Sequence, residues 1–256
     1  MSTRRAKQII YGIFYVFVFG LLVGGVYYLF LKPVPSCFDG IKNQGEEGID
    51  CGGQCAAPCS LKTVKPIETV GKILTFVPDQ DHLSLLVQIS NPNPDYAARN
   101  FSYSFSIYDN QGGLIQSFGG SSFAYAGEIK YILVPNAPVP RTGSFGKVEF
   151  RAENMDWVPA SGLKGPPNIA VLNIDARSAS TSLTVDGRVA NNDTVTFPQL
   201  TIIALFKGQY GQIAGASQTV VENLAPNESK PFFILHPPVP NVDIAGTRVF
   251  VYALRQ

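Results

Sequence analysis

Cys37, Cys51, Cys55 and Cys59 all fall in one stretch, CFDGIKNQGEEGIDCGGQCAAPC, and the rest of the 256-residue chain has no cysteine. Sulfur at this density binds a soft metal, attacks as a thiolate or closes disulfides. The spacings of 13, 3 and 3 residues lack the repeated close pair typical of zinc knuckles. A reactive thiolate wants a nearby base, yet the only histidines, His82 and His236, lie far along the chain. Two disulfides are the expectation, with three pairings open. Oxygen chemistry is concentrated in the same stretch: Asp39, Asn43, Glu46, Glu47 and Asp50 sit among glycines able to make tight turns. Hard oxygen ligands at this density suit calcium, with Asp39, Asn43, Glu46 and Asp50 as the candidate ligands. The alternative is that these acids merely solvate a small loop.

Elsewhere the sequence offers little chemistry. It has no GxSxG elbow, HExxH, Walker loop or dinucleotide fingerprint. Asp79, Asp81 and Asp95 could form a hydrolase carboxylate pair, but acids in surface loops are far commoner. His82 in DQDH and His236 among prolines read as lone, exposed side chains. Gly-rich SFGGSSF (117–123) reads as a loop between strands rather than a phosphate cradle. Trp157 lies in a segment that reads as inter-domain, as a wedge or an exposed ring. Asn100, Asn192 and Asn227 each head an N-x-Ser/Thr sequon, which matters only in a host that glycosylates by that route. A net charge of +1 gives no nucleic-acid footprint. No catalytic residue is assigned, and the expectation is a protein that is not an enzyme.

Residues 9–31, IIYGIFYVFVFGLLVGGVYYLFL, carry no charge over 23 positions. A helix rises about 1.5 Å per residue, so this run crosses a hydrocarbon core of about 30 Å. Arg4, Arg5 and Lys7 precede it and only Lys32 closely follows. The positive-inside bias then keeps the N-terminus cytoplasmic and sends the bulk of the chain outside, where cysteines oxidise. A cleaved signal peptide would have a shorter apolar core, of about 7–15 residues. A lipoprotein signal would acylate Cys37, but the residues before VPSC lack the usual pattern. Gly20 and Gly24 form a GxxxG pair, which would allow a homodimer through the span; the plainer reading is that glycine is common in membrane helices.

The cysteine stretch resembles a short module of bacterial and archaeal surface proteins, of the form C-x-DG-x-x-N-x-x-E-x-G-x-DCGG-x-C. It is matched by Cys37, Asp39-Gly40, Asn43, Glu46, Gly48, Asp50-Cys51-Gly52-Gly53 and Cys55. That resemblance implies a disulfide-stapled, calcium-binding linker beside the membrane.

The rest of the chain shows an internal echo. APVP at 137–140 returns as PPVP at 237–240; Asn91, Gly146 and Phe150 return as Asn191, Gly246 and Phe250. FSIYDNQGGLI (105–115) faces IALFKGQYGQI (203–213) with a slip of two residues. Such a period means two copies of a domain rather than a solenoid. Alternating or continuous apolar runs such as LSLLVQIS, FSYSFSIYD and LTIIALF, punctuated by NQGG, APNES and RTGS, read as strands of a β-sandwich. The aromatic stripe Phe101, Tyr103, Phe105 reads as core. The segment FSIYD followed by GGLI (112–115), and more loosely LF (205–206) with GQI (211–213), resembles the FxLYD and late-embryogenesis-abundant type 2 (WHy) group. That likeness implies an immunoglobulin-like sandwich without catalysis.

The expected architecture is mainly β: a cytoplasmic tail (1–8), a transmembrane helix (9–31), a Cys-rich juxtamembrane module (32–60) and two tandem immunoglobulin-like β-sandwiches (61–155 and 156–256). The expected role is a membrane-anchored binding or scaffold protein whose partner is an envelope or surface protein. The rival roles are a subunit of a secretion or pilus-like assembly, and an envelope hydrolase with a site between the sandwiches.

Overall fold

The computed structural model describes residues 3–28, 36–39, 41–46, 48, 51–55, 64–140 and 145–255. The chain divides into two units, Met1–Ser60 and Leu61–Gln256, and each is described on its own.

The first unit opens with one helix, α1 (Thr3–Val26). Its start precedes the apolar run because Arg4 and Lys7 can continue a helix at little cost. Its apolar window, Lys7–Val26, is not buried among the described residues. Phe14, Tyr15, Val16 and Phe17 all stand exposed, and the helix is apolar all round rather than amphipathic, long and apolar enough to cross a membrane. The cysteine loop follows, closed by a Cys37–Cys55 disulfide.

The second unit is built of twelve strands in four three-stranded antiparallel sheets. The first six are β1 (Glu68–Asp79), β2 (His82–Ser90), β3 (Tyr96–Asp109), β4 (Leu114–Ala124), β5 (Ile129–Pro138) and β6 (Phe145–Pro159). Then come β7 (Ile169–Ser178), β8 (Leu183–Asn191), β9 (Phe197–Gly208), β10 (Ile213–Leu224), β11 (Ser229–His236) and β12 (Val242–Tyr252). Sheet β1-β2-β5 packs on sheet β4-β3-β6, and sheet β11-β8-β7 packs on sheet β10-β9-β12. Each pair encloses its own core. The first holds Leu83, Leu85, Phe101 and Phe105; the second holds Val185, Phe197, Ile202 and Phe206.

A third cluster joins the pairs. Leu86 of β2 and Leu133 of β5 meet Ile203 and Leu205 of β9, with Phe250 and Tyr252 of β12 packed around them. The sheets therefore stack four deep, and the two middle ones are covered on both faces. This explains the continuous apolar runs LSLLVQIS and LTIIALF: side chains alternate along a strand, and here both sets are buried. The outer sheets keep the ordinary alternation. In β11, Phe232 and Ile234 point inward while Phe233 and Leu235 are exposed.

Two buried asparagines anchor the two sheet pairs in the same way. Asn91 Nδ2 donates to the carbonyls of Tyr96 (2.7 Å) and Tyr125 (2.9 Å). Asn191 Nδ2 donates to those of Val195, Leu224 and Ala225. Each side-chain oxygen accepts the backbone N–H two residues on, from Asn93 and Asp193. The adjoining turns match as well: Tyr125 N and Ala225 N each donate to a glutamate, Glu128 and Glu228, at 2.8 Å. The left-handed seat in these turns is taken by Gly127 (φ +68°) and Asn227 (φ +58°), the residue types that tolerate it best.

The 100-residue echo holds for these positions but not for Phe150 and Phe250. Phe150 pairs with Phe105 and packs on the first core. Phe250 pairs with Ile203 and faces the middle layer, while Val249, paired with Ala204, packs on the second core. A one-residue change of register moves a side chain to the opposite face. Trp157 belongs to β6, opposite Ala98, and packs on the first core; β6 itself runs past the expected boundary at 155/156 to Pro159.

Candidate functional site

Three of the four candidate calcium ligands come together in the cysteine loop. The Asp39 carboxylate accepts from the backbone N–H of Ser36 (3.1 Å) and Ile41 (2.9 Å) and from Asn43 Nδ2 (2.9 Å). The Asn43 amide, then the two backbone donors, hold its carboxyl below the usual range. Glu46 is buried; its Oε2 accepts from Asn43 N (3.3 Å), and its Oε1 lies 3.1 Å from Cys55 Sγ. That sulfur is half of a disulfide and has no proton to donate, so this is a contact rather than a hydrogen bond, and neither Cys37 nor Cys55 is a thiolate ligand. The Asn43 side-chain oxygen is buried and has no partner among the described residues. Gly53 (φ +58°) is required here, because a Cβ would come within 2.0 Å of the Gly45 carbonyl oxygen. Cys51 is disulfide-bonded too; Asp50 and Cys59 lie outside the described residues. Gly20 and Gly24 sit one turn apart on α1 with open space beside them.

The histidines depart from expectation in one case. His82 is partly exposed and bonds Asp79 through Nδ1 at 2.8 Å, in the turn between β1 and β2. His236 is buried rather than exposed: its ring packs on Phe206 and its Nδ1 donates to the Pro237 carbonyl at 2.6 Å. Burial pushes its pKa below the usual value. Its place at the end of β11, on the inward-facing side, is what encloses it.

Sequence reasoning missed a concavity in the second unit, a cavity of about 410 Å³. It forms where the open side of the first sheet pair, between β4 and β5, meets β9, β10 and β12. Exposed Arg99, Asn100 and Gln199 form its rim, and buried Lys130, Leu133 and Ile203 lie deeper. No carboxylate and no imidazole lines it. Arg99 is already paired with Asp156, Nε to Oδ2 at 2.8 Å.

Lys130 is the unusual residue. Only 3% of it is exposed, and among the described residues its Nζ donates to a single acceptor, the Phe123 carbonyl, at 3.0 Å. The ammonium lies 3.6 Å from the centre of the Phe123 ring and 4.8 Å from that of Tyr252. Burial lowers its pKa to about 8, against a smaller opposing pull from Glu128. Lys230 holds the matching place on β11, but there the Nζ reaches two carbonyls, those of Glu222 and Asn223, and lies 3.7 Å from Glu228. The lysine-to-carbonyl contact is thus a feature of both sheet pairs. What distinguishes Lys130 is the roof that β12 lays over it. Tyr252 in that roof accepts from Tyr131 N at 3.1 Å. Beside it, Tyr125 Oη donates to the Ala253 carbonyl (3.1 Å) and accepts from Arg255 N (2.8 Å), while Arg255 pairs with Asp193. These bonds clasp the C-terminal segment to both sheet pairs.

No protein-family profile and no curated protein sequence matches the chain. Solved structures it is similar to include a red sea bream transglutaminase, at 11% identity over 76% of this chain and 32% of that one, TM-score 0.23. Another is a β-glucuronidase of glycoside hydrolase family 2, at 10% identity over 70% of this chain and 24% of that one, TM-score 0.23. The chain spans about a third of the first and a quarter of the second, and likeness at this level carries no argument about activity.

Proposed function

We propose that this is a single-pass membrane protein that holds a rigid, extracytoplasmic pair of immunoglobulin-like β-sandwiches at the cell surface as a binding or scaffold module. The observation that carries the reading is an all-round apolar helix, unburied among the described residues, followed closely by the Cys37–Cys55 disulfide. Lipid is the solvent such a helix needs, and disulfides persist in oxidising compartments. The matched Asn91 and Asn191 networks support two copies of one domain, of the FxLYD/WHy type. Stacking them through Leu86, Leu133, Ile203 and Leu205 gives a stiff body with exposed outer sheets suited to docking an envelope or surface protein. The cavity lining has neither carboxylate nor imidazole, which favours binding over hydrolysis. Protease added to sealed cells should remove the sandwiches, and thiol-reactive probes should label no cysteine unless a reductant is added. Full protection of the C-terminal portion would refute the topology.

The loop around Asn43 supports a second feature of the same reading, a calcium ion in the stalk. Asp39, Asn43 and Glu46 supply hard oxygens, and the Asn43 oxygen, buried and without a partner among the described residues, is the observation that favours it. Calcium titration followed by NMR should shift the loop amides. Unchanged spectra at millimolar calcium would remove the metal.

A further inference from the structure

The cavity beneath β12 contains a buried charge, Lys130, whose neighbouring carboxylate, Glu128, acts on it only through space and forms no ion pair with it. A lysine ammonium has three N–H donors, and Lys130 uses one, on the Phe123 carbonyl. No carboxylate among the described residues forms an ion pair with it, whereas half-buried Lys230 has three polar partners. A buried ammonium normally acquires a paired anion or enough acceptors to replace water; two aromatic faces supply only part of that.

The neighbouring hydroxyls have spare donors as well. Tyr103 lines the cavity, and its hydroxyl has no hydrogen-bond partner among the described residues. Tyr252 Oη accepts from Tyr131 N and has no acceptor for its own proton among the described residues. Gln199 and Gln218 lie opposite, on β9 and β10, and can both donate and accept. The volume falls in the range of small-molecule sites, about 300–1,000 Å³.

We propose that this cavity is a binding site for a small carboxylate bearing hydroxyl or amide groups, with the Lys130 ammonium as its counter-ion and Tyr103 and Tyr252 as hydrogen-bond donors. The carboxylate brings the missing acceptors to the unmet donors. The glutamines recognise the neutral polar groups attached to it, and the Phe123 and Tyr252 rings shield the ion pair from water, which strengthens it. Two sources share this chemistry, a sugar acid and the free C-terminus of a peptide. The site goes beyond surface docking and does not depend on which side of the membrane the sandwiches occupy.

The test uses the full-length protein in detergent or nanodiscs, with isothermal titration calorimetry and ligand-observed NMR. The probes are galacturonate with neutral galactose as its control, and N-acetyl-Ala-Ala with its C-terminal amide as control. One of the two acids should bind, its neutral counterpart at least about tenfold more weakly, and Lys130→Met should lose binding to a similar degree. Whichever acid binds identifies the source. Lys230→Met should bind like the parent, and an unchanged or raised melting temperature of Lys130→Met shows that the site has not unfolded. Binding by neither acid, equal binding of acid and neutral control, or unaltered binding in Lys130→Met would each overturn the proposal.

Discussion

Lys130 should cost this protein stability, and the cost can be worked from the structure. A lysine lowered from 10.5 to about 8 by burial carries a penalty of about 3 kcal/mol for holding its charge at neutral pH, at about 1.4 kcal/mol per pH unit. The folded pKa is depressed, so between pH 8 and 10.5 the unfolded chain binds more protons than the folded one. Stability from this group therefore rises with pH through that window. Glu128 also faces the ammonium, but its pKa, raised from the carboxylate value, acts at acid pH. Tyr252, raised by burial, opposes the trend only above about pH 10, where unfolded tyrosines ionise. The clean range is pH 8 to 9.5. Methionine keeps the stem and removes the charge, but leaves the Phe123 carbonyl without its donor, at about 1–2 kcal/mol. Lys130→Met should thus be stabilised by about 1–2 kcal/mol at pH 7, a rise of roughly 3–6 °C in Tm. The gain should shrink steadily between pH 8 and 9.5. Denaturant melts of parent and variant across that range are the assay. A variant destabilised at pH 7, or a difference that does not change with pH, would show that the ammonium is well compensated and refute the reasoning. A stabilised variant that no longer binds a carboxylate would be a lysine kept for binding at the expense of stability.

Asn191→Ala should lose about 3 kcal/mol or more, because it strips the donor from three backbone carbonyls, and Asn91→Ala slightly less; calorimetric melts would rank them. Leu205→Ala should cost about 2–4 kcal/mol while leaving both sheet-pair cores in place, so a lower melting temperature with little change in far-ultraviolet circular dichroism is expected. Non-reducing peptide mapping should recover the Cys37–Cys55 pair, and free thiols at those two positions would contradict it. Replacing Gly20 and Gly24 with isoleucine should abolish any dimer seen by cross-linking in membranes, and an unchanged dimer would place the contact elsewhere.

The sequence by itself determined the elements. Twenty-three uncharged residues gave a helix long and apolar enough to cross a membrane, and residues alternating with period two leave little but strands. The continuous runs in β2 and β9 even carried the information that both faces are covered. Asn91 and Asn191 stood at matching places, and so did Lys130 and Lys230, but nothing local separated the two lysines. Tertiary packing decided that difference. Strand periodicity says which side chains share a face, but not what lies across from them. Sheet β10-β9-β12 stacks on the first sheet pair, so Tyr252 roofs Lys130 and makes a cavity, while Lys230, with no sheet above it, is only half-buried. A one-residue offset in β12 likewise sent Phe250 to the middle layer and His236 was enclosed by Phe206. Faces are set by local geometry; their covers are set by contacts between segments a hundred residues apart, which no local pattern records.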